Sequence, residues 1–152
     1  MLGTSELGRA CTDLRMMLVD GRTERRQVLR RVIECTGLAS TEIGEAASAA
    51  EAIELLDQQD RDVAFVEIQM PVSQGLEAIS ALRSRSPGLR IVVCSFHRDP
   101  GTKESALALG ADAYLDKPVN SLSLKALLQG FFPDREAGAV EAGAIGATEL
   151  AT

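Results

Sequence analysis

At 152 residues the chain has room for one domain with its own core, and not for two of ordinary size. With 45% apolar and 25% charged residues, no apolar run long enough to cross a bilayer and no basic-then-apolar start, it is expected to be a soluble, cytoplasmic protein without membrane contact. A net charge of −6, one tyrosine, four phenylalanines and no tryptophan argue against nucleic acid as a direct partner; three cysteines without a CxxC pair and a single histidine argue against a disulfide framework or a zinc site.

From Arg15 onward, short apolar strands alternate with amphipathic helices. Residues 15–20, RMMLVD, read as a strand, and 22–37 as a helix with Val28, Leu29, Val32 and Ile33 on one face and Gly37 ending it. Residues 41–47 form a weaker strand. The next helix, 48–60, opens with a Ser48 to Glu51 capping box and carries Ala49, Ile53 and Leu56 along one stripe. DVAFVEI (62–68) is a strand, 75–87 a helix closed by Ser86-Pro87, and LRIVVCS (89–95) a strand of the fully buried type. Residues 99–110 give a short helix, 112–116 a strand, and 120–132 a last helix begun at Asn120 or Ser121. Strands of this kind separated by helices predict a doubly wound α/β domain, a five-stranded parallel sheet with helices on both faces. The expected division is an extension over 1–13, the domain over 14–132 and a flexible tail over 133–152, rich in Ala, Gly and Glu.

Open parallel sheets gather ligands at the carboxyl ends of their strands. Those ends carry Asp20, Glu67, Ser95 and Lys117, two acids, a hydroxyl and an amine directed to one cleft. Glu67 ends an apolar strand, where its charge needs an answering cation, and Lys117 on another strand end supplies a candidate.

LVDG at 18–21, VEIQMP at 66–71 followed by Gly75, VVCS at 92–95 and GADAYLDKP at 110–118 together resemble the receiver domain of bacterial two-component response regulators, over roughly Arg15 to Phe132. The resemblance implies the (βα)5 flavodoxin-like fold and a phosphoryl group accepted on an aspartate at the end of the third strand, with Mg²⁺ held by acids after the first. It also implies that Lys117 pairs with the phosphoryl group, that Ser95 hydrogen-bonds it, that Tyr114 changes rotamer, that Lys117–Pro118 is cis, and that the backbone carbonyl of Gln69 is a metal ligand. Set beside these are plainer readings: Ser95 bonded to a backbone group, Tyr114 a half-buried strand aromatic, Cys94 a small core residue and His97 a solvated loop residue.

Two positions depart from the family pattern. Glu67 stands at the phospho-acceptor position, and Gly21 replaces the second acid of the pair, leaving Asp20 alone. Mg²⁺ leans on carboxylates, and phosphoryl transfer on an in-line nucleophile with its charge neutralised, so both departures disfavour the chemistry. Phe96, after Ser95, takes the place of a small residue and is expected to roof the pocket. The expectation is a stand-alone, atypical receiver acting as a protein-interaction module, with no enzyme activity and no cofactor. Glu67 is then either a permanent mimic of the phosphorylated state or an ion pair that closes the pocket. The alternative is a receiver that still takes a phosphoryl group with Mg²⁺ and hydrolyses it.

The partners implied by the resemblance are a sensor kinase, a phosphotransfer protein or a downstream effector, with a homodimer through the fourth-helix to fifth-helix face as a further option. Arg22, Arg25, Arg26, Arg30 and Arg31 give the first helix a basic face. That face reads as solvated, with local pairs such as Glu24 to Arg25, or as a docking face.

Overall fold

The structure, a computed structural model, describes residues 14–38, 42–68, 72–96 and 98–134. The expected extension, nearly all of the tail, Cys11, Gln69 and His97 lie outside the described residues. In chain order the elements are β1 (Met16–Val19), α1 (Thr23–Glu34), β2 (Gly44–Ala46), α2 (Ala49–Gln58), β3 (Val63–Val66), α3 (Val72–Arg85), β4 (Arg90–Ser95), α4 (Pro100–Ala108), β5 (Ala113–Asp116) and α5 (Ser121–Phe131). All strand pairings are parallel, in the order β2-β1-β3-β4-β5. This is the expected doubly wound α/β sheet.

Side chains alternate across the sheet, and each face buries its own core. Met17, Val19, Ala64, Val66, Ile91 and Val93 pack under α2, α3 and α4 with Leu56, Ile79 and Leu82. Met16, Leu18, Phe65, Val92 and Cys94 pack on the other face with Ile33, Leu124 and Leu128 from α1 and α5. Truncating any of these large residues to alanine removes burial and leaves a cavity, at about 2–5 kcal/mol each.

Local signals set the helix ends. Ser48 Oγ accepts from Glu51 N at 3.2 Å, while the Glu51 carboxylate reaches one residue further back than a capping box requires and accepts from Ala47 N at 2.8 Å. Asn120 caps α5, its Oδ1 accepting from Leu122 N and Ser123 N. Gly37, at φ 73°, follows the turn that ends α1. Two expectations need correction. Helix α3 begins at Val72, three residues before Gly75, because Val72 extends the stripe of Leu76 and Ile79 by one turn and packs on the same core. Val28 is 64% exposed and not part of the buried face of α1: at a helical period Val28 and Ile33 stand at opposite edges of the apolar arc, and the sheet covers the Ile33 edge.

Candidate functional site

The strand order reverses between β1 and β3, and Val19 pairs with Val66. Asp20 and Glu67 therefore leave the sheet side by side, held by Asp20 N to Ala46 O at 3.0 Å and Glu67 N to Val19 O at 3.0 Å. On the far side Ser95 pairs with Asp116, and Lys117 N donates to Ser95 O at 2.9 Å, which sets the lysine opposite the glutamate. The Lys117–Pro118 peptide is cis. A cleft of about 560 Å³ opens beside these ends, lined by Asp20, Gly21, Arg25, Ser48, Glu67 and Glu77 among others.

Lys117 Nζ pairs with Glu67 Oε1, with the two side chains only 11% and 5% exposed. Burial pushes the Glu67 carboxyl above its ordinary value, and the Lys117 ammonium pulls it back without cancelling the rise. Phe96 is exposed and its ring centroid lies 5.6 Å from Lys117 Nζ, so it covers the lysine rather than sealing the cleft.

Asp20 is not alone. The guanidinium of Arg25 faces it, with Nε 3.1 Å from Oδ1 and 2.9 Å from Oδ2, and Nη2 2.7 Å from Oδ1. Arg22 N adds a further donor to Oδ1 at 2.9 Å. Arg26 reaches the Asp20 carbonyl and, with Arg30, clasps Glu45 on β2. The basic face of α1 is thus largely turned inward onto two acids of the sheet. The expected Glu24 to Arg25 pairing is replaced because Asp20, buried one turn before Arg25, has more to gain from the charge. The clue in the sequence was a lone strand-end acid followed by a first turn holding Arg22, Arg25 and Arg26; which arginine turns inward depends on how α1 is rotated on the sheet.

Ser95 is fully buried, and its Oγ donates to Ile68 O at 2.9 Å. That is the backbone-bonded reading. Ser95 also bonds Tyr114, whose hydroxyl is held above its usual value mainly by burial, against the effect of that bond. Cys94 is buried and its thiol is pushed up to about 12, so it remains an unreactive core residue. Gly75 permits the approach of α3: a Cβ there would lie 2.9 Å from Ile68 Cγ1 and 3.0 Å from Ile68 Cα. Gly21 carries no such constraint. A Cβ there would meet only Ala47 O, at 3.7 Å, so the backbone would accept an acid.

The family signature of the response regulator receiver domain matches residues 16–129. The chain belongs to the response regulator receiver family. It is 31% identical over 110 residues to the chemotaxis protein CheY of Halobacterium salinarum, covering 72% of this chain and 88% of that one. It is 34% identical over 117 residues to the photosynthetic apparatus regulatory protein RegA of Rhodobacter capsulatus, 77% of this chain and 60% of that. It is 39% identical over 90 residues to the nitrate/nitrite response regulator NarL of Escherichia coli, 59% and 42%. The receiver therefore spans well under two thirds of NarL and somewhat less than two thirds of RegA. Among solved structures, a LuxR-family two-component response regulator from Aurantimonas superposes with a TM-score of 0.70 at 26% identity, over 93% of this chain and all of that one. A Burkholderia pseudomallei response regulator with a phosphorylated aspartic acid and a calcium ion does so with 0.66 at 27%, over 91% and 74%. The fold is that of CheY-like receivers, and the function is that of a receiver in two-component signalling.

The metal expected of this family does not fit the described donors. Gly21 offers no side-chain oxygen, and both carboxylate oxygens of Asp20 face Arg25. Among the described residues no cluster of three or more His, Cys, Asp or Glu forms a metal-holding group, and no helix is long and apolar enough to cross a membrane.

Proposed function

We propose that this receiver is an atypical one, a protein-interaction module that works without Mg²⁺-dependent phosphorylation and without phosphoryl-transfer activity. The observation that carries the reading is the buried ion pair of Glu67 with Lys117; the resemblance in sequence puts Glu67 where the family accepts a phosphoryl group. The acceptor carboxylate and the lysine that would greet the phosphoryl oxygens neutralise each other, and an in-line attack by Glu67 would have to break that pair while burial withholds solvation. Glu67 is one methylene longer than aspartate, so its carboxylate projects toward the volume a phosphoryl group would take. Either it imitates the modified state or it simply holds the pocket shut.

The output surface in this reading is α4, β5 and α5, set by Ser95, Tyr114 and Lys117. Leu107, Leu109 and Leu122 are exposed there, and a protein partner in the cytoplasm, a sensor kinase, phosphotransfer protein, downstream effector or second copy, would meet that face. Contact with nucleic acid or membrane would pass through such a partner. The second reading, a receiver that still accepts a phosphoryl group with Mg²⁺ and hydrolyses it, draws on the presence of Lys117 and on the open cleft beside Asp20 and Glu67.

Intact mass after incubation with a small-molecule phosphodonor and Mg²⁺ separates the two. The full chain is compared with a Gly21→Asp, Glu67→Asp double variant, which the space around Gly21 accommodates. An adduct on the double variant alone is the expected result. An adduct on the wild type overturns it and establishes a phosphorylation switch. With a partner in hand, Glu67→Gln decides between mimic and closure: weakened binding marks a mimic, unchanged binding a closed pocket.

A further inference from the structure

We propose that Arg25 serves this receiver as a built-in cation, filling the electrostatic role of the family's Mg²⁺ and making the site independent of divalent metal. The inference deepens the reading above and rests on the same departures, Gly21 and Glu67, but its carrier is a residue outside the family motif. The guanidinium meets both oxygens of Asp20, a buried carboxylate whose removal from water needs a matching charge. Its field extends to Glu67, whose ionised form it also favours. A small void of about 10 Å³ has Asp20, Arg25, Glu67 and Lys117 all among its lining residues, so the four groups border one space.

Charge balance carries the inference further. At the strand ends, Asp20 pairs with Arg25 and Glu67 with Lys117, and exposed Arg22 and Glu77 also line the cleft. Each of the two strand-end carboxylates is matched by a positive charge supplied by the chain. In a receiver with the family's acids, a lysine alone leaves carboxylates uncompensated and a divalent ion completes the balance. Here a divalent ion would enter a site already neutral and would meet the guanidinium at contact distance. Like charges at such separation are strongly repulsive where water is largely excluded. Guanidinium is suited to this place, since it stays protonated at any pH the fold tolerates and its planar fork spans both carboxylate oxygens.

The test uses the full chain, Mn²⁺ as the probe, and two readouts: the electron paramagnetic resonance signal of free Mn²⁺ and the thermal midpoint. Wild type and Arg25→Lys, which keeps the charge, are expected to leave Mn²⁺ free through millimolar concentrations with an unchanged midpoint. Arg25→Ala is expected to take up one Mn²⁺ with affinity tighter by about a hundredfold or more, the scale of one unit charge removed from contact distance. Saturation should raise its midpoint by about 5 °C. Adding Asp20→Asn should abolish the uptake. If Arg25→Ala does not fold alone, Mn²⁺ is expected to restore its far-ultraviolet circular dichroism, because an ion bound only by the native state shifts the equilibrium toward it. Wild type binding Mn²⁺ as tightly as Arg25→Ala overturns the proposal, as does an Arg25→Ala that neither takes up the ion nor is rescued by it. Neither result decides the interaction reading, which stands or falls on the phosphodonor adduct.

Discussion

Glu45 and Glu67 are the same residue on the two strands that flank β1, each against cations, and their acidities move in opposite directions. Glu45, on the edge strand β2, is 30% exposed and receives hydrogen bonds from Arg26 and Arg30, which hold its carboxyl below the ordinary value. Glu67, after central β3, has one ammonium and almost no solvent, and burial holds it above. A cation does not settle a carboxylate's acidity; the number of donors against the depth of burial does. The edge pair is an ordinary structural clasp. The central pair keeps a carboxyl where burial opposes its charge, a cost that the Lys117 ammonium offsets only in part.

The largest effect is expected from removing the cation that Glu67 depends on. Lys117→Met strands a buried carboxylate, and by analogy with other broken buried pairs should cost about 3–5 kcal/mol at pH 7 in urea unfolding. Adding Glu67→Gln should recover much of the loss. The pH dependence has a definite sign. Because the folded value of Glu67 is raised, its contribution is complete below the ordinary carboxylate range, near 4.5, and is lost as pH rises through the raised folded value. Glu45 has a lowered folded value, so its contribution is present above that range and is lost as pH falls through the folded value. Glu67→Gln should therefore flatten the decline on the alkaline side of 4.5, and Glu45→Gln the decline on the acid side. A Lys117→Met cost that stays constant from pH 5 to pH 7 would contradict the assignment to Glu67.

Gly75→Ala probes the backbone behind Glu67 without touching a charge. Its Cβ would press on Ile68 Cα as well as on a side chain, and backbone cannot step aside as a side-chain tip can. A loss of about 2 kcal/mol is expected, read by chemical denaturation, within the range for overpacking a filled core. A neutral result would mean that α3 does not sit as close to the end of β3 as described.

How much of this was legible before the fold was known follows from the same contrast. The sheet was readable because strands buried on both faces are written as unbroken apolar runs, and Glu67 with Lys117 was readable because both stand at strand ends, where topology alone brings them together. The Asp20–Arg25 and Glu45–Arg26–Arg30 contacts were not. They depend on the rotation of α1 about its axis, and α1 carries arginines around much of its circumference, so a helical period offers no preferred direction for any one of them. Val28 was misplaced for the same reason, an apolar residue a little outside the arc that the sheet covers. Gly21 was read as a missing acid, and that its backbone tolerates a side chain is visible only in the space around it.

Glu45→Gln should be milder than Gly75→Ala, about 1 kcal/mol at pH 7, since a partly exposed pair is screened by solvent and the amide keeps one acceptor for the two arginines. The difference from wild type should fade in acid, where Glu45 itself is protonated. A loss as large as that of Lys117→Met would erase the distinction between edge clasp and central pair.

The smallest effect is expected at Val28, which tests which face of α1 the two pairs use. If Arg25, Arg26 and Arg30 turn inward to Asp20 and Glu45, Val28 must turn out, and it borders only a shallow apolar groove shared with Leu29, Phe96, Pro118 and Val119. Val28→Ser then removes almost no buried surface and should change stability by less than about 0.5 kcal/mol. A loss well above 1 kcal/mol would mean that α1 is rotated so that Val28 is covered, and the same rotation would carry Arg25 away from Asp20. The substitution with the least expected effect on stability is thus a check on the placement of the arginine that the site's charge balance requires.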